Sequence, residues 1–165
     1  VANPHRGETS KATYFITADT FKKKAVLHTE GMARLLIDVL QHYRAQGNYL
    51  VHEFVVMPNH FHLLITPTNT TLEKCMQFIK GGFSYRVKKE FGVAAEIWQT
   101  SFHDRRVRDS GEYQKFRRYI HENPVEARLV EVADEWPYSS AHTGFDLDDV
   151  PQRLKPIASA ANMQA

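Results

Sequence analysis

Two imidazoles one residue apart, in the run MPNHFHLLI, give the chain its first opening to metal chemistry. If that run is extended, His60 and His62 project to one face, while Phe61, Leu63 and Ile65 project to the other. A second pair lies in YIHENPV, where Tyr119 and Asn123 are four residues apart and share one face of a helix. An asparagine carbonyl is a hard oxygen donor that can join two imidazoles on one divalent ion. Three neutral donors leave the ion its full charge to polarise a phosphate, with positions open for phosphate oxygens and water. Beside such an ion the Tyr119 hydroxyl becomes a nucleophile once a base, a cation or the metal draws off its proton, which a free phenol holds to a pKa near ~10. Each feature also has an ordinary reading. A His-x-His pair alone is a weak metal signal, and a single tyrosine is more often a half-buried aromatic with a solvated hydroxyl.

The elements that would position these residues can be read from periodicity. Thr13–Thr17 reads as a first strand, followed by a helix over about Thr29–Gln46, with Met32, Leu35, Leu36, Val39, Leu40 and Tyr43 on one face and Gly47 as its stop. Leu50–Met57 and His60–Thr66 read as a hairpin turning on Pro58-Asn59. That turn pairs Met57 with His60, Val55 with His62 and Glu53 with Leu64, and it places His52 on the core face beside Ile65 as a satisfied buried histidine. A second helix starts after Thr70, which has capping-box spacing with Glu73; Gly81-Gly82 within it suggests a kink or a close approach. Ile97–Arg108 reads as strand-like, and a third helix runs from about Gly111 to Asn123, limited by Pro124. These elements make one α+β domain over residues 1–143, an antiparallel sheet with packed helices in the order β-α-β-β-α-β-α. Residues 144–165 read as a flexible C-terminal tail.

Composition narrows the class. The chain has 165 residues, 42% of them hydrophobic, which suits a single domain with its own core. No apolar run approaches the ~18 residues of a membrane span, the first residues show no signal-peptide core, and the single Cys75 cannot make an internal disulfide. A protein of the reducing cytoplasm is the expectation. Lys and Arg exceed Asp and Glu by only 21 to 19, yet the charge is unevenly spread. Residues 74–118 carry 11 basic and 5 acidic groups, and residues 119–165 carry 3 and 8. A basic middle interleaved with Phe83, Tyr85, Phe91, Trp98 and Phe102 suits a nucleic-acid surface, although a solvated lysine face reads the same way.

MPNHFHLLI, WQTSFHDRRVRD and FRRYIHENPVEARLV, in that order and followed by WPYSSA, resemble the REP-associated tyrosine transposases, single-tyrosine HUH enzymes related to bacterial insertion-sequence transposases. The resemblance runs from about Tyr14 to Ala141 and implies a ferredoxin-like HUH nuclease fold. It implies His60 and His62 as metal ligands, Tyr119 as nucleophile and Asn123 as third ligand, where insertion-sequence relatives often place glutamine. It further implies Mg²⁺ or Mn²⁺, a 5′-phosphotyrosine intermediate, and single-stranded DNA folded into palindromic REP hairpins as substrate. A bacterial, nucleoid-associated location follows, as does a monomer rather than the helix-exchanged dimer of insertion-sequence relatives. Lys80, Arg86, Lys88, Lys89, Arg105, Arg106 and Arg108 are then the candidate DNA contacts. Two rival functions share these features, a domesticated hairpin-binding protein without cleavage and a metal phosphodiesterase that uses water.

Overall fold

Alternation and helical periodicity resolve, in the computed structural model, into four strands and three long helices; residues 11–156 are described. In chain order they are β1 (Tyr14–Asp19), α1 (Glu30–Ala45), β2 (Tyr49–Met57), β3 (His60–Pro67), α2 (Leu72–Phe91), β4 (His103–Arg106) and α3 (Ser110–Glu126). The sheet is antiparallel with strand order β2-β3-β1-β4, the ferredoxin-like arrangement, and α3 is added to it.

Each face of the sheet carries its own apolar cluster. On one, Ile16, Val51, Phe54, Val56, Phe61, Leu63 and Ile65 pack against Leu36, Val39 and Leu40 of α1 and Met76, Ile79 and Phe83 of α2. On the other, Val55, Met57 and Leu64 meet Tyr113, Phe116 and Ile120 of α3. Thr29 caps α1 by accepting from the Met32 amide. The cap of α2 is Thr71, accepting from Lys74, one residue beyond the position expected from spacing. Gly82 is explained by helix packing, since a Cβ there would stand 2.9 Å from a ring carbon of Tyr43 on α1, while Gly81 faces open space. The strand-like stretch from Ile97 contracts to β4 plus an isolated bridge between Thr20 and Trp98.

Three further expectations are corrected. The helix expected to stop at Asn123 runs on through Pro124 to Glu126, because proline in a last turn forfeits a single hydrogen bond. The hairpin pairs Met57 with His60, Val55 with His62 and Glu53 with Leu64 as expected, but a bulge between Val51 and Glu53 breaks the alternation at His52. His52 therefore meets Thr66 and Tyr113 on the α3 side rather than Ile65. It is indeed buried and satisfied, with Nδ1 donating to the Asp149 carbonyl at 2.9 Å and Nε2 accepting from Thr66 Oγ1 at 2.7 Å. Finally, the stretch from residue 144 packs on the domain as far as it is described. Phe145 meets Phe54 edge to face, Leu154 is fully buried, and Arg44 grips the Asp148 carboxylate with two bonds of 2.8 and 3.1 Å. Residues 1–10 and 157–165 lie outside the described residues.

The edges of the sheet differ. Tyr138, Ser139 and Ser140 run along the outer side of β2, with Val56 donating to Tyr138 and Ser140 donating to Phe54, and Asp148 donates to Val51 further down. That edge is closed. The other edge is β4, whose four residues are all exposed and include Arg105 and Arg106. No described helix is long and apolar enough to cross a membrane.

Candidate active site

Strand parity places Phe15, Thr17 and Asp19 of β1 and His60 and His62 of β3 on the face that α3 covers, with Thr17 opposite His62 and Asp19 opposite His60. The two imidazole rings lie 4.9 Å apart. His62 is buried between Phe15, stacked at 5.3 Å, and Tyr119, edge-on at 5.2 Å. Its Nδ1 lies 2.9 Å from Thr17 Oγ1, and the Ile16 backbone also favours a proton on the ring. Nε2 is buried with no hydrogen-bond partner among the described residues. Burial, and then the neighbouring His60, push the His62 pKa down to about 3, so the ring is neutral with its free lone pair on Nε2.

His60 is oriented in the same way. Its Nδ1 donates to Asn59 Oδ1 at 2.7 Å, in the turn itself, which leaves Nε2 as the free nitrogen. Burial lowers its pKa, against the opposing influence of Asp19 and of the Asn123 side chain, which reaches the ring from α3. Two neutral imidazoles with committed Nδ1 atoms, one of them with an orphaned buried Nε2, fit a divalent metal site. The carboxamide oxygen of Asn123 is the third donor within reach. Among the described residues no cluster of three His, Cys, Asp or Glu exists.

The helix supplies the rest. Asp109 caps α3 by accepting from Glu112, whose own carboxylate accepts from the Arg108 amide. Tyr113, Phe116, Ile120 and Pro124 then face the sheet. Tyr119 and Asn123 run down one flank of this stripe, Arg117 and His121 down the other. Tyr119 is half exposed, its ring edge-on to Phe15 at 5.8 Å. It borders a cleft of about 760 Å³ lined by Phe15, Arg105, Lys115, Phe116, Arg118, Glu122 and Asn123, among others.

The structure thus brings together His60, His62, Tyr119 and Asn123, and divides the expected basic residues. Arg105 lines the cleft, its guanidinium lying over the Phe116 ring at 5.8 Å. Arg106 and Arg108 are exposed at the far end of the same strand and just beyond it. Lys80 Nζ donates to the carbonyls of Gln99 at 2.7 Å and Ser101 at 3.3 Å, and Lys80 does not line the cleft beside Tyr119. Arg86 pairs with Glu90 at 2.9 Å, and Lys88 and Lys89 share α2 with it, on the face of the sheet away from the histidines. Lys115 and Arg118 belong to the cleft and were missed. Their helical spacing to Tyr119 was the available signal.

A ferredoxin-like sheet with strand-paired histidines beneath a helix-borne tyrosine is the arrangement of the HUH transposases. Residues 8–123 match the family described as Transposase IS200 like, and the chain belongs to that family. It is 27% identical over 157 residues to the REP-associated tyrosine transposase of Escherichia coli strain K12, covering 92% of this chain and 86% of that protein. A Haemophilus influenzae protein provisionally given the same name is 30% identical over 115 residues, which are 59% of this chain and 61% of that protein. In three dimensions the chain is similar to a REP-associated tyrosine transposase bound to a REP hairpin, with a TM-score of 0.67 at 22% identity, covering 91% of this chain and 95% of that one.

Proposed function

We propose that this transposase cleaves and rejoins single-stranded DNA beside palindromic hairpins of the REP type, using Tyr119 as nucleophile. The observation that carries the reading is the orphaned Nε2 of His62, buried directly beneath the Tyr119 ring. A buried nitrogen without a partner costs stability unless a ligand fills it. His60, His62 and Asn123 would hold a divalent ion, which would supply positive charge at the scissile phosphate. A donor set of two imidazoles and one amide oxygen favours Mn²⁺ over Mg²⁺. The Tyr119 oxygen attacks phosphorus, its proton passing to solvent. The P–O3′ bond breaks, leaving a 5′-phosphotyrosine and a 3′-oxygen that takes up a proton. The new ester conserves the energy of the old one, so attack by a 3′-hydroxyl reverses the step without a nucleotide cofactor.

Arg105, Lys115 and Arg118 would neutralise the backbone, and unpaired bases would stack in the apolar part of the cleft. Hairpin DNA as the substrate class rests on the names of the relatives. The enzyme is proposed to work as a monomer on DNA at the bacterial nucleoid. The test is transfer of label from a 5′-flanked hairpin to protein on a denaturing gel. Adduct with the unaltered chain and none with Tyr119→Phe, at equal hairpin affinity, is expected. Cleavage without adduct would replace the reading with a water-using phosphodiesterase, and binding with neither would leave a hairpin-binding protein.

A further inference from the structure

Glu53 is a buried carboxylate that the chemistry above does not use. It stands on β2 just past the bulge, on the face that α3 covers, and it gathers three donors from two other parts of the chain. Arg117 Nε donates to its Oε1 at 2.9 Å, His121 Nε2 donates to its Oε2 at 2.8 Å, and the Ser140 hydroxyl donates to Oε2 as well. Burial would raise its pKa. The bonds from His121 and Ser140 and the charges of His121 and Arg117 outweigh burial, and the group remains a carboxylate.

The placement of these donors gives the cluster a role. Arg117 and His121 are one turn apart on the flank of α3 opposite Tyr119 and Asn123. The apolar stripe between the flanks fixes the height of α3 above the sheet and resists rotation about the helix axis only weakly, because apolar contacts are not directional. Two charge-assisted bonds one turn apart on a single carboxylate resist that rotation strongly. Ser140 ties the same carboxylate to the segment that closes the β2 edge, which stops β2 from yielding. A rotation of the helix by a few tens of degrees would carry the Tyr119 ring an ångström or more away from His62.

We propose that Glu53 is a positioning residue for the transposase reaction, locking the rotation of α3 so that the Tyr119 hydroxyl is held over the paired histidines. The proposal rests on the reading of Tyr119 as nucleophile, and the experiment separates the two. Glu53→Gln keeps the shape and removes the charge. Glu53→Asp keeps the charge on a shorter stem. Arg117→Met removes one donor at a half-exposed site and serves if Glu53→Gln does not fold. Three quantities are measured at saturating Mn²⁺. They are the single-turnover rate of adduct formation, the hairpin affinity, and the ¹⁹F spectrum of the chain carrying 3-fluorotyrosine at position 119 or, separately, at position 85 on α2.

A misplacement of about 1 Å lowers rates by up to ~100-fold, so Glu53→Gln should slow adduct formation by ~10- to 100-fold, with hairpin affinity changed less than about twofold. The resonance at 119 should shift or broaden while that at 85 stays, and Glu53→Asp should recover part of the rate. An unchanged resonance at 119, or equal disturbance at 119 and 85, overturns the proposal, as does a rate within about twofold of the unaltered chain. If the unaltered chain forms no adduct at all, the reading of Tyr119 falls, and the resonance at 119 alone decides whether Glu53 fixes the helix.

Discussion

Replacing Thr17 by valine removes one oxygen from the outer shell of the proposed metal site and leaves its ligands intact. Valine has the shape and the strand preference of threonine, so β1 and its pairing with β3 should be unaffected. What is lost is the hydroxyl 2.9 Å from His62 Nδ1. That hydroxyl helps hold the imidazole proton on Nδ1, which keeps the Nε2 lone pair free. Without it the ring gains access to the other tautomer, in which the proton occupies the orphaned Nε2 and blocks a metal. Outer-shell partners of metal-binding histidines are worth about 10- to 100-fold in affinity. The Ile16 backbone still favours a proton on the ring, and Phe15 still holds the ring plane. The expected loss therefore lies at the low end, ~10-fold, or about 1.4 kcal/mol. Titration of Mn²⁺ followed by the EPR signal of the free ion measures it directly, without DNA. His62→Ala should abolish the site, and Thr17→Ser should restore most of the affinity. Tight binding by Thr17→Val, with His62→Ala inactive, would show that the tautomer is set without Thr17 and refute the reasoning.

The remaining expectations concern stability and DNA. Asp148→Ala should lower stability by about 1–3 kcal/mol in urea titration, because it leaves the Val51 amide without its acceptor and Arg44 with only its bonds to Gln41 and Asp146; a loose tail would show no change. Burial holds the imidazoles of His52, His60 and His62 below their ordinary pKa, so the unfolded chain binds protons first. Stability of the metal-free chain is then full only well above the unfolded imidazole pKa of about 6.5 and should fall as pH drops from about 7 to about 5; a constant urea midpoint over that range would contradict it. Alanine at Arg105, Lys115 or Arg118 should each flatten the salt dependence of hairpin binding by somewhat under one unit, about 0.7 per phosphate, whereas Lys80→Ala should leave the slope unchanged.

The site was more legible than its supports, for a physical reason. A two-residue Pro58-Asn59 turn fixes strand parity from its own end, so the common face of His60 and His62 follows from counting. Tyr119 and Asn123 share a helix flank by the same arithmetic. Counting fails where an extra residue enters, and the bulge at His52 moves every position beyond it relative to its partner strand. The donors around Glu53 were invisible for a related reason. A glutamate in an apolar strand gives no hint of donors 64, 68 and 87 residues further along the chain. Charge counting has the same blindness. Asp146 and Asp148 read as a solvated acidic tail, yet both bond to Arg44 on α1, at the β2 side of the sheet and away from the basic β4 edge.

The two faces of the sheet explain why the chemistry sits where it does. Beneath α1 and α2 the inward positions are almost all apolar, and the few polar atoms there, such as the Tyr49 hydroxyl and the Trp98 indole nitrogen, are taken up by backbone carbonyls. On the other face α3 contributes one short apolar stripe, and beyond it Thr17, Asp19, His60 and His62 collect at one end of β1 and β3. A valine in place of His62 would remove the cost of its unpaired nitrogen, about 1–3 kcal/mol, and would suit the strand better. A fold that keeps a neutral imidazole there, its second nitrogen already beside the Thr17 hydroxyl, leaves Nε2 as a place for a ligand to bind. Tyr119, half exposed with its ring edge-on to His62, is the group such a ligand would bring a phosphate to meet.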